Sequence, residues 1–212
     1  MPPPNDSVPP DDLRRALQWS IASAAWTVCA STAAIVIGLA VDSLLLVVFG
    51  AVGALDAVGS IVLVVHFRHA LHHEAIAVAR ERRALVAIAS GMALIAVATT
   101  VESTHRLVTH STGGKFSAAG TAVAALSIAA LAIIGIGKLR IGDVVDSRAL
   151  VADGHVSMMG SVLAVCTCGG TIATSALDWW WLDPAGSLAV AFVAVVVAFS
   201  HLRRAQTSEV PT

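Results

Sequence analysis

The sequence predicts an all-α integral membrane protein, a bundle of six transmembrane helices with both termini on the cytoplasmic side. Three observations carry that prediction. The composition is 57% hydrophobic and only 13% charged, with a mean hydropathy of +0.82, whereas a soluble domain of this size carries about 25% charged residues. The apolar residues fall into six long stretches, each near the roughly 20 residues that a spanning helix needs. The positive charges gather in alternate connections between those stretches.

The elements follow in order. Residues 1–14 begin MPPPNDSVPPDD, a Pro-rich polar stretch read as a disordered cytoplasmic tail. It lacks the basic start of a secretory signal, so the first apolar run belongs to the mature protein. That run covers 17–40, and the second covers 43–66; only Val41, Asp42 and Ser43 separate them, a tight helical hairpin. The third run is 84–102, and Gly113–Gly114 breaks the chain before the fourth, 117–137. The fifth is 148–175. The sixth, 184–201, opens with Asp183 as N-cap and Pro184 at the first helical position. Residues 15–204 thus form one transmembrane domain, and 205–212 a short cytoplasmic tail.

With six spans, Arg14 and Arg15 of the N-terminal flank, Arg68, Arg80, Arg82 and Arg83 between the second and third runs, Lys138, Arg140 and Arg148 between the fourth and fifth, and Arg203 and Arg204 at the C-terminus lie on one side. Arg106 and Lys115 lie on the other. This bias of eleven against two puts both termini in the cytoplasm, with the plasma (inner) membrane as the expected location. Trp179, Trp180 and Trp181 then sit at the outer interface, where indoles prefer to lie.

Composition also excludes some classes. Net charge is −1 and no basic patch suggests nucleic acid. Cys29, Cys166 and Cys168 all lie inside apolar runs and give no disulfide framework. No nucleophile–base pairing or HExxH spacing points to an enzyme. Nothing calls for an organic cofactor.

Ionisable residues inside the apolar runs are the functional signal. Asp56 sits midway along the second helix, where a charge costs roughly 2.5–3.5 kcal/mol on insertion scales and usually faces the bundle interior. Gly53, Gly59 and Ser60 share its face and allow close helix packing. Asp153 and His155 lie one to two turns into the fifth helix. Carboxylate and imidazole suit zinc and similar divalent ions, so Asp56, Asp153 and His155 make a candidate three-ligand transport site completed by water. The other readings are an Asp56 used for packing, and an Asp153 that positions the helix end beside a packed His155. In HFRHALHHEA, His66, His69 and His73 fall on one stripe with His72 adjacent. His69, His72 and His73 are a candidate cytoplasmic metal-capture site; the other reading is a solvated basic face.

An internal echo links the second and fifth helices. Residues 42–52 read DSLLLVVFGAV and 146–156 read DSRALVADGHV, matching at Asp42/Asp146, Ser43/Ser147, Leu46/Leu150, Val47/Val151, Gly50/Gly154 and Val52/Val156. Transporters are often built from such repeats, with the substrate between corresponding helices.

These residues resemble a family, the cation diffusion facilitators. The stretch Ser147-Arg148-Ala149-Leu150-Val151-Ala152-Asp153-Gly154 looks like the start of the family's fifth helix, Leu182-Asp183-Pro184 like the start of its sixth, and Asp56 like its second acidic ligand on helix two. The resemblance covers about residues 15–204. It implies a proton-coupled transporter of a divalent cation, zinc first, with the lipid bilayer, the cation and protons as its partners. The family carries two ligands on each of helices two and five, four residues apart. Here Val52, Val156 and Gly160 stand at three of those positions, and His155 is one residue out of register. The family's cytoplasmic metal-binding domain has no counterpart either, which resembles a shorter branch of the family. The resemblance also admits a homodimer, although family members dimerise largely through that domain. The alternative function is a non-transporting membrane metal sensor or partner subunit on a transporter scaffold.

Overall fold

A computed structural model describes residues 9–71, 78–110, 117–177 and 179–207. The described residues form six helices and no strand: α1 Pro10–Ala40, α2 Leu44–Leu71, α3 Val78–Thr109, α4 Ala118–Val144, α5 Arg148–Leu177 and α6 Leu182–Thr207. At 1.5 Å per residue, helices of 26 to 32 residues are about 39–48 Å long. Four of them contain stretches long and apolar enough to cross a membrane: Asp11–Ala40, Leu44–Val65, Ala118–Val144 and Ala149–Thr174. The apolar part of α6, Leu182–Val196, is shorter. Large apolar side chains such as Val36, Leu39, Leu94, Ile133 and Phe192 are more than half exposed, as an apolar solvent requires.

Every helix runs past its apolar stretch, with α2 reaching Leu71 and α3 covering Val78–Thr109, and three further shifts bear on the charges and tails. α1 begins at Pro10 and not after residue 14. Pro stands at its first position, and Asp11 and Asp12 meet the positive end of the helix dipole. Arg14 and Arg15 follow one turn later, 3.8 Å and 3.7 Å from those acids. α4 continues to Val144, so Lys138 is helical and not part of a connection. α6 runs to Thr207, which makes residues 205–207 helical as well. Gly113, Gly114 and the His72–Glu74 stretch lie outside the described residues.

The helices alternate in direction. Arg106 near the end of α3 bonds Asp42, and Asp183 at the start of α6 bonds Ser43. Gly120 at the start of α4 abuts Leu46, and Gly170 near the end of α5 abuts Leu45. All four contacts gather at the end of the bundle that carries the 41–43 turn. The 145–147 turn lies at the opposite end, where Ala16, Leu63, Phe67, Ile141, Val145 and Leu150 pack together. α1 packs along α2, α4 along α5 and α3 along α6, with α2 reaching α3, α5 and α6 and α1 reaching α4.

The echo in the sequence is a repeated helical hairpin. In the first, Ser43 N–H donates to Gly38 O at 2.9 Å; in the second, Ser147 N–H donates to Gly142 O at 2.9 Å. The turn residues Asp42 and Asp146 have φ of 55° and 48°, the left-handed region that Asp tolerates better than most residues. Ser43 and Ser147 then cap the following helices through Leu46 N–H at 3.4 Å and Leu150 N–H at 3.3 Å.

The packing repeats as well. A Cβ on Gly38 would come within 2.8 Å of Val47, and one on Gly142 within 2.7 Å of Val151. A Cβ on Gly50 would strike Ile35, and one on Gly154 the equivalent Leu139. Glycine at these points is therefore a condition of each hairpin's close approach. Because the two hairpins sit at opposite ends of the bundle, the repeat is inverted, the arrangement common in secondary transporters.

Candidate functional site

The sequence places Asp56 twelve residues into α2, about 18 Å from the 41–43 end. It is half-buried and lines a cavity between α1, α2, α4 and α5 that Met92 of α3 also touches. About 40 Å³ of this cavity is open to the centres of water molecules. One water takes roughly 10–15 Å³ of such space, so the cavity has room for about three.

Its lining is mostly apolar. Val52, Asp56, Val156 and Gly160 all contribute to it. These are the four positions at which the family resemblance would put ligands, and the fold brings them to one cavity with a carboxylate at only one. Two polar atoms on lining residues, Trp26 Nε1 and Thr27 Oγ1, are buried with no hydrogen-bond partner among the described residues. Thr27 is 4% exposed.

Nearer the 145–147 end lies an ion cluster. Lys138 sits six residues before the end of α4, and Asp153 five residues after the start of α5, so each is roughly 8–9 Å from that end. Lys138 is 0% exposed. Its Nζ donates to Asp153 Oδ2 in a buried ion pair. It also donates to Ser23 Oγ at 2.6 Å, Ser157 Oγ at 3.2 Å and Ser60 Oγ at 3.3 Å. Ser60 Oγ donates to Asp153 Oδ2 at 3.4 Å, and Ser23 and Ser60 share a hydrogen bond of 3.2 Å. Helices α1, α2, α4 and α5 are thereby pinned at one point. Asp56 and Ser60 are one turn apart on the same face of α2, so the cavity and the cluster are neighbours along that helix.

This arrangement differs from the three-ligand expectation. Asp153 is committed to Lys138 and does not cap the helix. His155 is exposed, and its Nδ1 lies 2.9 Å from Val151 O on its own helix. Two residues separate it from Asp153 in register only, since a step of two on a helix turns the side chain through about 200°. Among the described residues no three His, Cys, Asp or Glu side chains gather as a metal site. The side chain of His69 and all of His72 and His73 lie outside the described residues. Cys29, Cys166 and Cys168 are free thiols, two of them exposed.

Lys138 is the residue of this cluster that the sequence alone does not single out. Counting it with Arg140 as a loop charge hid it. Its register held the signal, because Ser127, Leu131, Ile134, Gly135, Lys138 and Ile141 all lie on the buried face of α4.

A second set of polar contacts closes the 41–43 end. Arg106 donates through Nε to Glu102 at 2.8 Å and through Nη2 to Asp42 Oδ1 at 2.9 Å, and through Nη1 to Asp42 O at 3.1 Å. Burial works against the Arg106 charge, but the hydrogen bonds to Glu102 and Asp42 outweigh it and raise its pKa above the usual value. Asp183 accepts from Ser43 Oγ at 2.6 Å, Leu44 N–H at 3.0 Å and Leu45 N–H at 3.4 Å. It thus caps α2 from α6, so the α3–α6 pair is tied to the first hairpin. Trp179 and Trp181 stack at 5.5 Å beside this end, and Trp180 contacts His110 at 4.8 Å.

Comparison of the chain with protein-family models and with curated proteins finds no match.

Proposed function

We propose that this chain is a proton-coupled transporter of a small cation, with Asp56 as the carboxylate that receives it. Zinc, the ion the family resemblance implies, is the first to test. In this reading all six helices span the bilayer. Both termini are cytoplasmic, because ten cations near the helix ends on that side still oppose two once the buried Lys138 is set apart.

One observation carries the proposal: a lone carboxylate at mid-helix lines a partly open cavity at the meeting point of two inverted hairpins. An acid in that position costs stability in a membrane, and such acids mark ion and proton paths. Inverted repeats supply the means, since rocking one hairpin against the other exposes a fixed midpoint site to each side in turn. Asp56 holds the cation in one state and a proton in the other. The convergence of Val52, Asp56, Val156 and Gly160 on this cavity supports the resemblance on which zinc rests.

The test is zinc flux into liposomes containing the purified protein, driven by a pH gradient. The intact protein moves zinc and Asp56→Asn does not. Equal rates for the two would remove Asp56 from the mechanism.

A second reading, a non-transporting sensor or partner subunit, draws on two facts. Lys138 neutralises Asp153, and three of the four cavity positions are apolar. It predicts no flux from the purified protein and co-purification with a larger membrane partner. Robust flux by the protein alone eliminates it.

A further inference from the structure

We propose that Lys138 is a tethered cation: its ammonium fills a cage of oxygens that takes a free monovalent cation when the lysine side chain is removed. While seated there it withdraws Asp153 from a transported ion and leaves Asp56 to receive it. Only this second statement rests on the transport reading above.

The cage is made of one carboxylate oxygen and three hydroxyls: Asp153 Oδ2, Ser23 Oγ, Ser60 Oγ and Ser157 Oγ, drawn from α1, α2 and α5. An ammonium has three protons to give, and four acceptors surround this one. All are oxygens, the donors that hard cations take. The cage itself holds one carboxylate among neutral hydroxyls, which a single positive charge balances, while the second acid, Asp56, lines the cavity outside the cage.

The inverted repeat shows that the hairpin does not need these charges to pack. In the register of the repeat, Lys138 corresponds to Ala34 and Asp153 to Phe49, which sit in an apolar cluster with Leu45, Val48, Val52, Leu163 and Ala164. The first hairpin carries apolar residues where the second carries an ion pair. The close glycine contacts are otherwise the same in both. The ion pair is therefore an addition to the shared packing scheme.

The experiment compares thermal unfolding of the purified full chain and Lys138→Ala in detergent. The buffers hold methylammonium, potassium or magnesium chloride, with N-methyl-D-glucamine chloride as the large-cation control, all at one ionic strength. The wild-type midpoint is the same in all four. In K138A, methylammonium or potassium raises the midpoint over the control, by about 5 °C at a hundredfold excess over Kd. Magnesium does not match them, and Lys138→Ala with Asp153→Phe responds to none. A K138A midpoint indifferent to every cation, or raised by magnesium alone, overturns the proposal.

Where K138A cannot be extracted in folded form, methylammonium present throughout preparation restores it; failure of that restoration counts against the cage. The two proposals fail separately. Absence of zinc flux removes transport and leaves this unfolding result standing, while indifference of K138A to cations removes the cage and leaves flux untouched.

Discussion

Replacing Lys138 and Asp153 one at a time and then together separates a charge-compensated cluster from an ordinary buried contact. Lys138→Ala leaves the Asp153 carboxylate buried without its cation, and Asp153→Phe leaves the ammonium with hydroxyls alone. Breaking a buried pair by removing one partner costs about 3–5 kcal/mol. The double variant copies Ala34 and Phe49 of the first hairpin, so it has a packing solution already present in the molecule. It exchanges a buried ion pair for apolar residues, a replacement that is often neutral or stabilising. The serines keep partners: Ser157 Oγ donates to the carbonyl of residue 153 at 3.1 Å, and Ser23 and Ser60 bond each other at 3.2 Å. The expected coupling between the two sites is therefore about 3 kcal/mol or more. Reversible denaturant unfolding in mixed micelles measures it, with N-methyl-D-glucamine as the only buffer cation so that no small ion stands in for Lys138. A double variant whose loss equals the sum of the single losses, within about 0.5 kcal/mol, refutes the reasoning.

Two further predictions concern residues at the edges of the centre. Asp183→Ala removes three acceptor contacts from the start of α2 and unties α6 from the first hairpin. It should cost about 2 kcal/mol, read by the same unfolding assay, and a loss below about 0.5 kcal/mol would show that water satisfies those donors equally well. His155→Ala should change neither stability nor zinc binding measurably, because the ring is exposed and bonds only its own helix; a clear loss of zinc affinity by calorimetry would return His155 to the site.

The fold was legible in the sequence because the signals that make it are local. Apolar runs set the helices, and Val41-Asp42-Ser43 marks a turn by its own chemistry, whereas Asp183, expected to cap α6, lies inside that helix and caps α2 instead. The echo from Asp42 and Asp146 onward is visible because both hairpins need the same capping serine and the same glycine at the crossing. The equivalent glycines at 38 and 142, one turn before each Asp, lie outside the aligned stretch, and their role appears only when the Cβ contact with Val47 or Val151 is seen.

The site was half legible. Asp56 stood out because an acid in mid-span has no cheap explanation. Asp153 stood out too, but its partner did not: Lys138 lies fifteen residues earlier, close enough to Arg140 to be taken for a loop charge. Pairing across α4 and α5 depends on how far α4 continues, and a helix end is poorly marked where no proline stops it. His155 stands apart from Asp153 because a two-residue step puts side chains on opposed faces of a helix, and its ring is exposed.

The decisive measurement is zinc flux by Asp56→Asn against wild type, in liposomes under an imposed pH gradient. The intact protein carries flux that follows the gradient, and D56N loses it while keeping an unfolding midpoint close to wild type. Unchanged flux in D56N would rule out Asp56 as the carrier of the ion.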